Sequence, residues 1–178
     1  MNEYFPSKVL HFCPFCGADA FRPGDGHYLQ CGVCGKKLYI NAAGAVACII
    51  VNPQGEILFT RRKYDPSKGM LDLPGGFVDP EETAESAARR EVYEELNLKV
   101  DSMQYIGSSN NRYLYGGIVY FTLDLGFECK VSDFSTLRAG DDAAGYVFLA
   151  PDKINIDEIG FLSIRTLVQL YIRNRADQ

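Results

Sequence analysis

Residues Gly75–Leu98 read GGFVDPEETAESAARREVYEELNL and carry six glutamates and two arginines. Ala84, Ala88, Val92 and Leu96 recur every four residues, which predicts a helix whose apolar stripe starts small and so packs close to a sheet. Thr83 is the expected N-cap, with Asp79-Pro80-Glu81-Glu82 as an alternative earlier start. Glu91, Glu94 and Glu95 stand at i, i+3 and i+4, within an arc of about 100° on one side of that helix. Like charges so placed repel by roughly 0.2–0.5 kcal/mol per pair, so something positive is expected there. A solvated acidic face is the ordinary explanation of a charge run. Here Glu91 and Glu95 border the apolar stripe, where shielding from water strengthens attraction to a cation. Carboxylate clusters suit hard cations such as Mg²⁺ or Mn²⁺. Mg²⁺ takes one or two carboxylates, keeps several waters and completes its shell with substrate phosphates. Leu73-Pro74-Gly75-Gly76 is a strand exit and glycine turn that lets backbone approach a metal closely.

The stretch matches the pattern G-x5-E-x7-R-E-U-x-E-E-x-G-U, with U a bulky aliphatic, at Gly76, Glu82, Arg90, Glu91, Val92, Glu94, Glu95 and Leu98. Asn97 replaces the last glycine, and asparagine is the usual non-glycine residue that tolerates the left-handed conformation wanted after a helix. On these residues the chain resembles the Nudix hydrolases, which cleave diphosphate linkages in nucleoside diphosphates joined to a further group. The resemblance implies an α/β fold, an α/β/α sandwich with a mixed sheet, over residues 39–178. It also implies that Glu91, Glu94 and Glu95 hold Mg²⁺ or Mn²⁺ and that the backbone of Gly75, next to Gly76, adds a ligand. Glu82 and Arg90 become the supporting pair, the arginine orienting carboxylates. An ordinary surface ion pair is the other reading of those two.

Cys13, Cys16, Cys31 and Cys34 form a C-x2-C-x14-C-x2-C arrangement, with Gly17 and Gly35 after each pair. Four thiolates make a closed tetrahedral Zn²⁺ site with no position left for substrate, so this zinc is structural. Two disulfides are the competing pairing and need an oxidising compartment. Residues 1–38 are too few to build a sufficient apolar core, and the metal substitutes for one. His11 and His27 flank a complete tetrad and read as solvated or hydrogen-bonded side chains. Cys48 reads as a buried small hydrophobe, and Cys129 as similar or partly exposed.

The 178 residues fit one domain plus a small module, a zinc ribbon at 1–38 ahead of 39–178. At 47% hydrophobic the chain has ample core, and its net charge is −5. It has no eighteen-residue apolar stretch and no basic start with an apolar run, so a cytoplasmic location is expected. Ala43–Val51 reads as an apolar strand ended by Asn52-Pro53-Gln54-Gly55, with Glu56–Lys63 as its partner strand. Lys99–Ile106, Tyr113–Leu125 and Gly145–Leu149 read as further strands, and Ile156–Arg173 as a C-terminal helix.

A zinc ribbon ahead of a Nudix domain resembles the NADH pyrophosphatase branch, whose members split NAD(H) and in some cases remove NAD caps from RNA. The S-Q-P-W-P-F-P-x-S motif that marks that branch is missing, and the chain has no tryptophan. The substrate expected is therefore a dinucleotide or nucleoside diphosphate derivative: NADH or NAD, ADP-ribose, FAD or a nucleotide sugar. Arg112 offers a fork for phosphate, and Tyr113 and Tyr115 offer rings for a base, unless these tyrosines only decorate a strand. Arg61, Arg62 and Lys63 end a strand near the motif, where Arg62 is expected to face the diphosphate; surface solubilisation is the alternative for at least one of the three. Asp141 lies where many relatives recruit another acid as ligand or base; a turn aspartate is the alternative. Dimerisation is a family-level expectation. The competing functions are a nucleotide sensor and a nucleic-acid-binding module. Residues 1–40 carry four Lys/Arg against three Asp/Glu, which is no basic footprint for a polyanion.

Overall fold

The computed structural model describes residues 2–25, 27–140 and 143–176. The chain divides into two compact units, Met1–Ala43 with Arg112–Phe121, and Gly44–Asn111 with Thr122–Gln178. In chain order the elements are α1 (Pro6–Val9), β1 (Phe21–Pro23), β2 (Tyr28–Cys31), β3 (Lys37–Tyr39), β4 (Ala43–Ile50), β5 (Ile57–Arg62), β6 (Leu71–Asp72), β7 (Gly75–Phe77), α2 (Ala84–Leu96), β8 (Ser102–Tyr115), β9 (Ile118–Lys130), β10 (Ala143–Leu149) and α3 (Leu162–Ala176). Among the described residues no helix is long and apolar enough to cross a membrane.

The larger unit is an α/β sandwich. One sheet has the order β7-β4-β9-β8, the other β10-β5-β6. The β4–β7, β5–β10 and β5–β6 pairs are antiparallel, and a parallel bridge joins Leu71 to Ile159, so the pairing is mixed. Alternation along β4 distributes the core. Val46, Cys48 and Ile50 pack with Ala87, Ala88, Val92 and Leu96 of α2. Ala47 and Ile49 point the other way, to Ile164, Leu167, Val168 and Tyr171 of α3. β5 splits likewise, with Leu58 in the first cluster and Ile57 and Phe59 in the second. Each fully buried valine, leucine, isoleucine or phenylalanine among them contributes about 1.5–3 kcal/mol, which is why neither strand shows a polar face.

Three elements differ from the sequence expectations. Glu56–Lys63 is not the ladder partner of Ala43–Val51: the two strands lie in different sheets, joined by one bridge, Val51↔Ile57. Strands buried on both faces carry no alternation that would fix a partner. The break expected between residues 106 and 113 is absent, because β8 runs unbroken through Ser108–Arg112. The turn falls instead at Gly116-Gly117, φ +57° and +78°, where a two-residue hairpin needs two left-handed residues. The C-terminal helix starts at Leu162 rather than Ile156, after a separate 3₁₀ turn at Ile156–Glu158 and Gly160, whose N–H donates to the Leu71 carbonyl.

In the smaller unit β1-β2-β3 form an antiparallel sheet over a core of Cys13, Phe21, Leu29 and Cys31. The two cysteine pairs repeat one geometry: Gly17 N–H donates to Cys13 O and Gly35 N–H to Cys31 O, at 2.9 and 3.0 Å. The tip of the β8–β9 hairpin belongs to this unit, with Phe121 edge-on to Phe5 at 5.4 Å between centroids.

Candidate active site

Helix α2 is the platform of the site. Thr83 caps it, its hydroxyl accepting from Ser86 N–H at 3.2 Å, and Asn97 ends it in the left-handed region at φ +54°. Such a cap is worth about 1 kcal/mol. The Arg89 guanidinium bonds the Val100 carbonyl, and Gly140 N–H donates to Glu95 O at 2.6 Å, so both the side and the end of the helix are tied down.

Arg90 organises the acids. Its Nε and Nη2 fork onto Glu82 at 3.1 and 2.9 Å, its Nη1 bonds Glu91 at 2.7 Å and Glu94 at 3.2 Å, and its Nη2 also donates to Phe77 O at 3.0 Å. These contacts hold the Glu82 carboxyl below the usual carboxylate range and raise the guanidinium further above its own. Glu91 goes the other way: burial pushes its carboxyl up, against the pull of Arg90.

The glycine turn closes on the same helix. Gly75 N–H donates to Glu95 Oε2 at 3.2 Å. Gly75 sits at φ +153°, where a Cβ would run into the Val46 carbonyl, and a Cβ on Gly76 would run into the Glu91 carboxylate. Gly75 is therefore restricted to glycine by backbone, whereas a side chain at Gly76 would displace the Glu91 carboxylate from its place. Glu82, Arg90, Glu91, Glu94, Glu95, Gly75 and Gly76 thus come together as one constellation. The three glutamates do not form a tight cage. Among the described residues the group close enough to clamp one ion by itself is the cysteine tetrad. An open acid face that leaves room for water and phosphate fits Mg²⁺ better than a closed site would.

The sulfurs of Cys13, Cys16, Cys31 and Cys34 all lie within 4.8 Å of one another, with Cys13–Cys34 and Cys16–Cys31 at 3.7 Å. Four sulfurs about 2.3 Å from a zinc stand about 3.8 Å apart in a tetrahedron, so the set fits the ion, and the cysteines are free thiols rather than disulfides. Backbone N–H groups of Phe15, Val33 and Cys34 point at Cys13 and Cys31 sulfurs at 3.4 Å. His11 and His27 stand outside the tetrad. Cys48 and Cys129 are both buried in the α2 core.

The remaining candidates make other contacts. Arg62 bonds Asp72 at 2.8 Å and Pro66 O at 2.7 Å, and its guanidinium lies over Phe161. Arg112 and Tyr113 belong to the smaller unit, Arg112 over the Phe5 ring and Tyr113 stacked on Tyr115. Asp141 lies outside the described residues. Sequence reasoning missed Asp72 and Asp124. Asp72 is half-buried, with its side chain 13% exposed; it accepts from Leu73 N–H at 2.9 Å, and its partial desolvation lifts its pKa to about 6 against the pull of Arg62. Asp124 is buried and accepts from Thr122 Oγ1 at 2.6 Å. The only signal for Asp72 was its place two residues before Pro74, ahead of the glycine turn.

Comparison with known proteins agrees with this geometry. The NUDIX domain model matches residues 42–167. The chain is 39% identical over 130 residues to an ADP-ribose pyrophosphatase of Methanocaldococcus jannaschii, covering 70% of each. It is 31% identical over 119 residues to the NAD-capped RNA hydrolase NudC of Haemophilus influenzae, covering 66% of this chain and 45% of that longer one. A NUDIX hydrolase from Nitrosomonas europaea shares the fold at a TM-score of 0.71 and 24% identity, over 94% of this chain and 93% of that one. With the motif, its glycine turn and the sandwich all in place, the chain belongs to the Nudix family of hydrolases.

Proposed function

We propose that the protein is a Mg²⁺-dependent hydrolase of the diphosphate linkage in a nucleoside diphosphate derivative, with Glu91, Glu94, Glu95 and the Gly75 backbone holding the cation. The observation that carries this reading is the Arg90 network, in which one guanidinium aligns Glu82, Glu91 and Glu94 on one side of α2. Mg²⁺ bound there would supply charge neutralisation of the phosphates and activation of the attacking water. The chain's own residues supply position. Arg90 and Glu82 fix the rotamers of the helix acids, Gly75 N–H orients Glu95, and the closely packed glycine turn keeps the diphosphate against the helix. Water attacks one phosphorus, the bridging P–O bond breaks, and a nucleoside monophosphate leaves.

ADP-ribose is the favoured substrate, because a relative named for that activity matches over 70% of both chains. NAD(H) is second: the NudC name supports it, while this chain lacks the S-Q-P-W-P-F-P-x-S motif. FAD and nucleotide sugars complete the class. Residues 1–38 act as a structural zinc ribbon and 39–178 as the catalytic domain. The test is mononucleotide release from ADP-ribose, NADH, FAD and a nucleotide sugar with Mg²⁺, for the wild type, Glu94→Gln and Glu95→Gln. Turnover of at least one by the wild type, abolished in both variants at unchanged melting temperature, is expected. Normal rates in the variants would remove the metal assignment, and tight binding without turnover of any substrate would make the protein a sensor.

A further inference from the structure

The smaller unit contains a cavity of about 460 Å³ that the chemistry above does not use. It lies wholly within that unit, with Pro6 and Leu29 as buried floor, Phe5, Tyr28 and Phe121 as aromatic walls, and His27 and Arg112 among its polar lining. Its volume falls within the roughly 300–1,000 Å³ of small-molecule sites, and a mostly apolar lining with a few polar groups is their usual composition.

The walls are prepared rather than incidental. Phe121 meets Phe5 edge to face at 5.4 Å, and the Arg112 guanidinium lies 5.4 Å from the Phe5 centroid. Tyr28 packs against Tyr39 at 5.5 Å and carries the Lys37 ammonium 4.4 Å from its centroid. A Cβ on Gly24 would occupy the Tyr28 ring, so glycine there is what admits the ring to this position. Among the described residues no acidic side chain lines the cavity. The unit carries five Lys/Arg (Lys8, Arg22, Lys36, Lys37, Arg112) against three Asp/Glu, in a chain whose net charge is −5. Such a surplus is too small for a polyanion and suited to a single anionic group. Aromatic walls stack any base through its π-face, and a guanidinium forks onto phosphate.

We propose that this cavity is a binding site for a mononucleotide, with the base against the Tyr28 and Phe121 rings and the phosphate at Arg112. The site is separate from the helix acids in its residues and does not rest on the hydrolase reading.

The test is calorimetric titration of the full-length, zinc-loaded protein with AMP, without added divalent cation, alongside adenosine and inorganic phosphate. Saturable AMP binding, stronger than that of adenosine or phosphate, is expected. It should weaken about tenfold or more in Arg112→Ala and in Phe121→Ala and persist in Glu94→Gln, since each deletion removes one stacking or charge-assisted contact. Arg112 is exposed, so its variant keeps the test informative if Phe121→Ala does not fold. The proposal is overturned if AMP does not bind, if binding is lost in Glu94→Gln but intact in Arg112→Ala, or if adenosine alone binds as well as AMP. Hydrolysis of ADP-ribose is read separately, so failure of one idea does not mimic failure of the other.

Discussion

Replacing Arg90 tests whether the acid face is an organised site or a set of surface charges. The guanidinium makes five hydrogen bonds, to Glu82 twice and to Glu91, Glu94 and the Phe77 carbonyl once each. Their worth is unequal. The Glu94 side chain is 57% exposed and Asp79 69%, so both contacts are screened and count for little. Glu91 is 13% exposed, and its 2.7 Å bond to Arg90 offsets the burial that raises its pKa. Losing that bond should cost about 1.5–3 kcal/mol in Arg90→Ala, the worth of one hydrogen bond between charged groups, the exposed Phe77 contact adding little. Arg90→Lys keeps the charge but not the fork, and should lie between the variant and the wild type. The assay is urea unfolding at neutral pH, with and without Mg²⁺. Removing the arginine frees the Glu91 and Glu94 rotamers, so Mg²⁺ should stabilise Arg90→Ala less than it stabilises the wild type. An Arg90→Ala protein within about 0.5 kcal/mol of wild type, the range of ordinary surface substitutions, would refute the reasoning.

Three further perturbations follow from particular contacts. Asp72 has a folded pKa of about 6, against roughly 3.9 unfolded, so its contribution favours the fold below about pH 4 and is lost as pH rises through 6. At about 1.4 kcal/mol per unit, the unfolding free energy of wild type minus Asp72→Asn should fall by roughly 3 kcal/mol at most between pH 4 and 7; a flat difference would contradict the burial. Gly76→Ala places a methyl on the Glu91 carboxylate and should lower kcat by about a hundredfold with little change in fold, whereas near-normal kcat would mean Glu91 is not held where it matters. Zinc analysis should give one ion per chain, lost in Cys13→Ser together with order in β1-β2-β3; a metal-free protein with that sheet intact would remove the structural role.

The site was more legible in the sequence than the fold around it. Each motif residue has a local job that constrains its type: Thr83 caps, Asn97 turns left-handed, and Glu91, Glu94 and Glu95 share a side of the helix because 3.6 residues make a turn. The cysteine tetrad was readable for the same reason. Strand pairing was not, because it depends on distant partners. Gly107-Ser108-Ser109-Asn110-Asn111 has turn composition yet lies inside β8, while the real turn at Gly116-Gly117 sits among aromatics. Asp72 has its pKa raised by desolvation against the opposing pull of Arg62 ten residues away, a balance that no periodicity encodes.

The account stands or falls on whether the acids of α2 hold a divalent cation. Crystals grown with Mn²⁺ and a non-hydrolysable ADP-ribose analogue should show an anomalous scattering peak about 2.0–2.2 Å from carboxylate oxygens of Glu91, Glu94 or Glu95, with the diphosphate on its far side. A bound analogue with no such peak at these residues would contradict it.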